Sequence, residues 1–135
     1  MRKMLFILNI LFLFFLACTK APSPEITNNE KLSAMKKYEE YKKDGLLMIN
    51  ICQKFANEQD IKKLHKAAVS TQEARVINCR DYNGECTQYL NFLKIAIEYS
   101  KDGILTLPEE SDLKSRVQQL KNTIEEGKFK LAQQF

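Results

Sequence analysis

Two apolar rhythms with the same seven-residue period constrain this chain more than any other feature. Ala34, Tyr38, Tyr41, Gly45, Met48, Cys52 and Phe55 recur at alternating spacings of four and three. Leu113, Val117, Leu120, Ile124, Gly127, Leu131 and Phe135 keep the same rhythm near the other end. Residues three and four apart share one side of an α-helix, so each rhythm predicts a long helix with a single apolar stripe. Lys36, Lys37, Glu39, Glu40, Lys42 and Lys43 fall off the first stripe and meet water. Gly45, after Asp44, is expected to bend or interrupt that helix, because glycine there costs about 1 kcal/mol relative to alanine.

The segment between these rhythms predicts two more helices. Asn28 or Asn29 caps the first helix, which begins near Glu30. A second starts after Asn57 with Asp60 in its first turn, and Ile61, Leu64, Ala68, Gln72, Val76 and Cys79 trace its inner side. Its weakest point is Val69-Ser70-Thr71. Asn83-Gly84 reads as a turn. A third helix runs from about Glu85 to Ser100, with Cys86, Tyr89, Leu90, Leu93, Ala96 and Ile97 along one side. Phe92, Ile95 and Tyr99 lie off that side, so this helix is apolar nearly all round. It is either central or covered by a partner. Thr106, Pro108 and Glu109 form the start signal of a fourth helix, a cap with proline in the first turn and glutamate three residues on. The fold class expected is all-α, a small bundle of about four amphipathic helices spanning 30–135. An extended coiled hairpin is the alternative.

The N-terminus has a different character. Arg2 and Lys3 precede an apolar block, Met4 to Leu16, broken only by Asn9. Thirteen residues make a helix of roughly 20 Å, short of the ~20 residues that cross a hydrocarbon core. The basic start and the length suit a secretory signal. The block ends Phe15-Leu16-Ala17-Cys18, which resembles a bacterial lipobox. The resemblance implies cleavage after residue 17 and acylation of Cys18, palmitate being one of the acyl chains. Phe15 departs from the usual leucine. Residues 1–17 are then a signal peptide. Residues 18–29, TKAPSPEITNN after the cysteine, are a lipidated flexible tether. Thr19 in place of aspartate directs such a protein to the outer membrane under the enteric sorting code. The expected location is the cell envelope, lipid-anchored, on the periplasmic side or the surface.

Cleavage removes two cations and no acid, so the formal charge falls from +4 to +2. Basic and acidic residues interleave, and no stripe suited to nucleic acid emerges. Export into an oxidising compartment predicts one disulfide among Cys52, Cys79 and Cys86. A continuous second helix puts Cys79 far from Cys52, while Cys79 and Cys86 bracket one turn. That favours Cys79–Cys86 with Cys52 as a buried thiol. A break near Ser70 reopens Cys52–Cys86.

Chemistry-bearing constellations are sparse. His65 stands among Lys62, Lys63 and Lys66, and reads as a surface histidine. The cysteines lack the paired spacing of a zinc site. Glu39-Glu40, Glu109-Glu110 and Glu125-Glu126 read as solvated faces, since neighbours on a helix diverge by about 100°. No enzyme, cofactor or metal is expected. The expected role is a protein–protein interaction module, with Phe92, Ile95 and Tyr99 as a partner groove, unless the fourth helix covers them. The segment ECTQYLNFLKIAIEYSKD, Glu85 to Asp102, is similar to the late helix of type II secretion pilotins. These small helical lipoproteins escort secretin subunits to the outer membrane. The resemblance implies an assembly helper, and it implies pairing of Cys52 with Cys86; Cys79 is extra. A surface-exposed or exclusion lipoprotein, binding host, phage or plasmid-transfer components, is the alternative.

Overall fold

The computed structural model of the protein describes residues 27–135. Four helices pack against one another: α1 (Asn28–Ala56), α2 (Ile61–Ala74), α3 (Asn83–Ser100) and α4 (Leu107–Ala132). A single 3-10 turn, Cys79–Asp81, lies between α2 and α3. No strand occurs among the described residues. The chain is an all-α bundle, as the two rhythms require.

Local chemistry sets the helix boundaries. Thr27, rather than Asn28 or Asn29, caps α1. Its hydroxyl accepts the Glu30 N–H at 3.2 Å, and the Glu30 carboxylate accepts the Thr27 N–H at 3.3 Å. This reciprocal pair satisfies two otherwise orphaned donors. Asp60 caps α2 through the Lys63 N–H. Thr106 and Glu109 repeat the reciprocal cap at α4, with Pro108 in the first turn. The second helix is shorter than its pattern suggested. Arg75 takes a left-handed conformation (φ 48°, ψ 52°) and ends it after Ala74. Gln72 and Val76 therefore lie exposed instead of tracing an inner side, and Cys79 moves into the 3-10 turn. Asn83-Gly84, read as a turn, falls inside the first turn of α3.

The helices alternate in direction. Gly45 meets Ile124, and Tyr41 meets Gly127. Rising numbers on α1 thus oppose falling numbers on α4. Gln88 bonds Thr123 and Tyr99 bonds Asp112, so α3 and α4 are antiparallel too. α2 packs principally on α3, and α3 is the central helix, touching all three others. The stripe of α1 is buried from Tyr41 through Gly45, Met48, Cys52 and Phe55. That of α4 is buried at Leu113, Val117, Leu120 and Ile124. Gly45 neither bends nor interrupts α1. A Cβ there would lie 2.8 Å from Ile124 Cγ2, so the glycine permits close approach of α1 and α4.

Candidate functional site

The four-residue rhythm 88, 92, 95, 99 explains the fate of the expected partner groove. Gln88 Nε2 donates to Thr123 Oγ1 at 2.9 Å, and Tyr99 Oη donates to Asp112 Oδ2 at 2.7 Å. Phe92 and Ile95 lie on the same side of α3 between these two links, so α4 covers them. Phe92 is 1% exposed. Ile95 and Tyr99 are partly buried against the core. The groove of Phe92, Ile95 and Tyr99 is therefore not open. Those side chains hold α3 to α4, and Arg116 Nε donates to the same Asp112 oxygen at 2.8 Å.

An open groove lies instead between the end of α2 and the middle of α3. Helix α2 stops at Arg75, and the chain crosses to the 3-10 turn with Ile77 turned inward and buried. Asn78 Oδ1 accepts the Arg80 N–H at 3.2 Å and fixes that turn. Cys79 and Cys86 are joined, their Cα atoms 5.7 Å apart, which ties the turn to α3. The result is a cleft of about 600 Å³ floored by Ile77, Tyr89 and Leu93, with Thr71 and Arg75 on its rim. Leu90, expected on the inner side, borders the cleft and is 46% exposed. Sequence reasoning missed this site because it depends on the early stop of α2. The only local hint was the weak Val69-Ser70-Thr71 step.

Cys52 is a free thiol, fully buried in the core. Burial pushes it up to about 12, so it is un-ionised and inert near neutrality. The Cys52–Cys86 pairing implied by the pilotin resemblance is not the one formed. Tyr89 is also pushed up to about 12, first by burial and then by Cys52. Its hydroxyl has no hydrogen-bond partner among the described residues.

Two polar clusters complete the inventory. Tyr41 Oη donates to Glu85 Oε1, and Tyr82 Oη donates to Asp44 Oδ2, each at 2.7 Å. The two rings meet edge to face, centroids 5.7 Å apart. Burial, reinforced by Glu85, raises the Tyr41 phenol above its ordinary value. Both protons are committed, so these tyrosines pin α1 to the start of α3. At the far end His65 Nδ1 lies 3.0 Å from Ser100 Oγ. Ser100 is buried and donates its proton to the Ala96 carbonyl at 2.6 Å. His65 thus acts as donor through Nδ1–H. It is half-buried rather than a free surface group. A hydroxyl so enclosed and so committed is placed as a helix-end tie, not as a nucleophile. Among the described residues no three of His, Cys, Asp and Glu gather closely enough to hold a metal ion. No described helix is long and apolar enough to cross a membrane. Cys18 and the whole signal-like segment lie outside the described residues.

Comparison with protein-family models, with curated proteins and with solved structures finds no match to this chain.

Proposed function

We propose that this protein is a lipid-anchored component of the bacterial cell envelope whose helical bundle binds another envelope protein, in an assembly-helper role of the pilotin kind. The anchor is Cys18, supported by the sequence LFLFFLAC, and Thr19 in place of aspartate supports the outer membrane under the enteric sorting code. Binding falls to the groove between α2 and α3, and the observation that carries this reading is its geometry. The cleft lies over buried Ile77, Tyr89 and Leu93, with the exposed Leu90 at its edge. Such a trough accepts an apolar anchor from a partner segment and covers its rim with polar groups. The disulfide supports the role by holding the groove wall in place without help from the partner.

The test is a pull-down of the intact protein from crosslinked membranes, paired with Leu90→Asp. Recovery of a secretin by the native protein and its loss in the variant, with unfolding unchanged, support the assembly role. Equal recovery of the same partner by both proteins removes the groove from the account. Recovery of extracellular ligands alone, with loss of the protein on protease shaving of intact cells, replaces it with the surface lipoprotein.

A further inference from the structure

Four of the exposed large apolar side chains of the α1/α4 pair share one face; Leu47 turns off it and Leu107 lies at the far end of α4. Successive residues on a helix turn by about 100°. In α1, Gly45 faces Ile124 of α4, while Asp44 reaches Tyr82 at the start of α3. Leu46, one step the other way, therefore points away from α3. Met35 lies eleven residues earlier and Leu32 fourteen, close to whole turns, so both share that direction. In α4, Ile124 faces Gly45 and Thr123 reaches Gln88 of α3. Glu125, and Phe129 four residues on, thus also turn away from α3. Leu32 is 64% exposed and Phe129 67%, and Met35 and Leu46 are exposed as well. All four sit on one face, the face opposite α3.

Leu32 to Leu46 spans about 21 Å at 1.5 Å per residue. Phe129, two residues beyond the Gly127–Tyr41 contact, falls between them. Leu32, Met35 and Phe129 lie in the half of the pair nearest the first residue of α1, and Leu46 lies just past its middle. Only ten peptide steps separate Asn28 from Cys18, a reach of at most about 35 Å. A chain anchored at Cys18 therefore keeps this face within reach of the bilayer, at an effective concentration in the millimolar range. Lys42 lies about 40° of rotation from Leu46, and Lys121 about 80° from Phe129. Glu39 lies on the face as well, and Glu125 there is paired with Lys128 at 2.6 Å.

We propose that Leu32, Met35, Leu46 and Phe129 form a bilayer-docking surface that lays the α1/α4 pair along the membrane. The inference rests on the lipid anchor at Cys18. Its consequence is orientation: α2 packs on α3, on the opposite side, so the α2/α3 groove is presented away from the lipid. Each side chain inserts into the headgroup boundary with the stems of the flanking lysines, as on an interfacial helix.

The chain contains no tryptophan, so single-tryptophan variants report depth directly. The full lipidated protein carrying Phe129→Trp is reconstituted into phosphatidylethanolamine–phosphatidylglycerol vesicles with brominated acyl chains. Leu32→Trp is a second reporter on the same face. Val76→Trp, 54% exposed just past the end of α2, is the control. The expected result is a blue shift and loss of most emission at positions 129 and 32, with position 76 unquenched. Protein that remains on the vesicles with all three positions equally wet overturns the docking surface and leaves the anchor standing. A blue shift without bromine quenching, growing with protein density, means a second copy covers the face and also overturns it. Loss of vesicle association, with a bare Cys18 by mass, overturns the anchor and the docking surface together.

Discussion

Gly127→Ala is expected to destabilise the protein, although alanine is the better helix former. A Cβ at position 127 would overlap the Tyr41 hydroxyl and approach Tyr41 Cζ to 2.5 Å and Cε1 to 3.0 Å. The ring cannot swing aside freely. It is held by the Glu85 carboxylate at 2.7 Å and by the edge-to-face contact with Tyr82. Overpacking of this kind costs about 1–3 kcal/mol. Displacing a hydrogen bond to a charged group costs about 1.5–3 kcal/mol more. The helix-propensity gain of alanine returns about 1 kcal/mol. The net loss is about 1.5–5 kcal/mol, and at roughly 4 °C per kcal/mol for a domain of this size Tm falls by about 6–20 °C. Circular dichroism during thermal and urea unfolding of the purified protein measures it. Gly45→Ala provides the contrast. There a single methyl carbon of Ile124 lies at 2.8 Å, and the next contacts are ordinary at 3.5 and 3.6 Å. Its effect should be clearly smaller. Gly127→Ala with unchanged or raised stability would refute the claim that Tyr41 is clamped between the two helices.

Other outcomes follow from the same geometry. Replacing Cys79 and Cys86 by serine opens a loop of sequence separation 7, which in the chain-entropy model costs about 2.5 kcal/mol. Non-reducing mass mapping of the native protein should return a 79–86 peptide pair, and a 52–86 pair would contradict the fold. The Asp112 carboxyl is held below its ordinary value by Arg116 first and Tyr99 second. A depressed folded-state value means stability present above the usual carboxylate range and lost as pH falls through the folded value. Native protein should therefore lose stability below about pH 4 more steeply than Asp112→Asn. Equal acid slopes in urea unfolding would remove the α3–α4 link from the account.

The legible part of the fold was the part written as period. The stripes of α1 and α4 read correctly, except that α4 ends at Ala132 and leaves Phe135 exposed beyond it, because each is a long run with one apolar face and a polar remainder. The Thr106 and Glu109 start was legible because capping chemistry is local. The end of α2 was not. Gln72, Val76 and Cys79 continue the helical spacing, yet Arg75 turns left-handed and the chain leaves the helix. No glycine or proline marks the stop. That one residue determines where the open cleft lies, while α4 covers Phe92, Ile95 and Tyr99, the alternative the sequence leaves open. An all-round apolar helix has two readings, and only the position of α4 decides between them. Gly45 was read as a helix weakness; it is a packing residue, a distinction that needs the facing Ile124 methyl. The tyrosine–carboxylate pairs join residues 44 and 38 positions apart, and nothing in spacing announces such a contact. The neighbouring lysines suggested a surface role for His65, but Ser100 lies 35 residues away and comes within bonding range only in the folded bundle.

Location, redox state and proposed role all depend on what happens at Cys18. Intact-mass analysis of the native protein, extracted from membranes, tests it most directly. The account predicts a chain beginning at residue 18 that carries a diacylglycerol thioether and an acylated amino group, and a Cys18→Ala chain that is released or left unprocessed. A native chain with a free thiol at position 18, or a cleaved Cys18→Ala product that still fractionates with membranes, would contradict it.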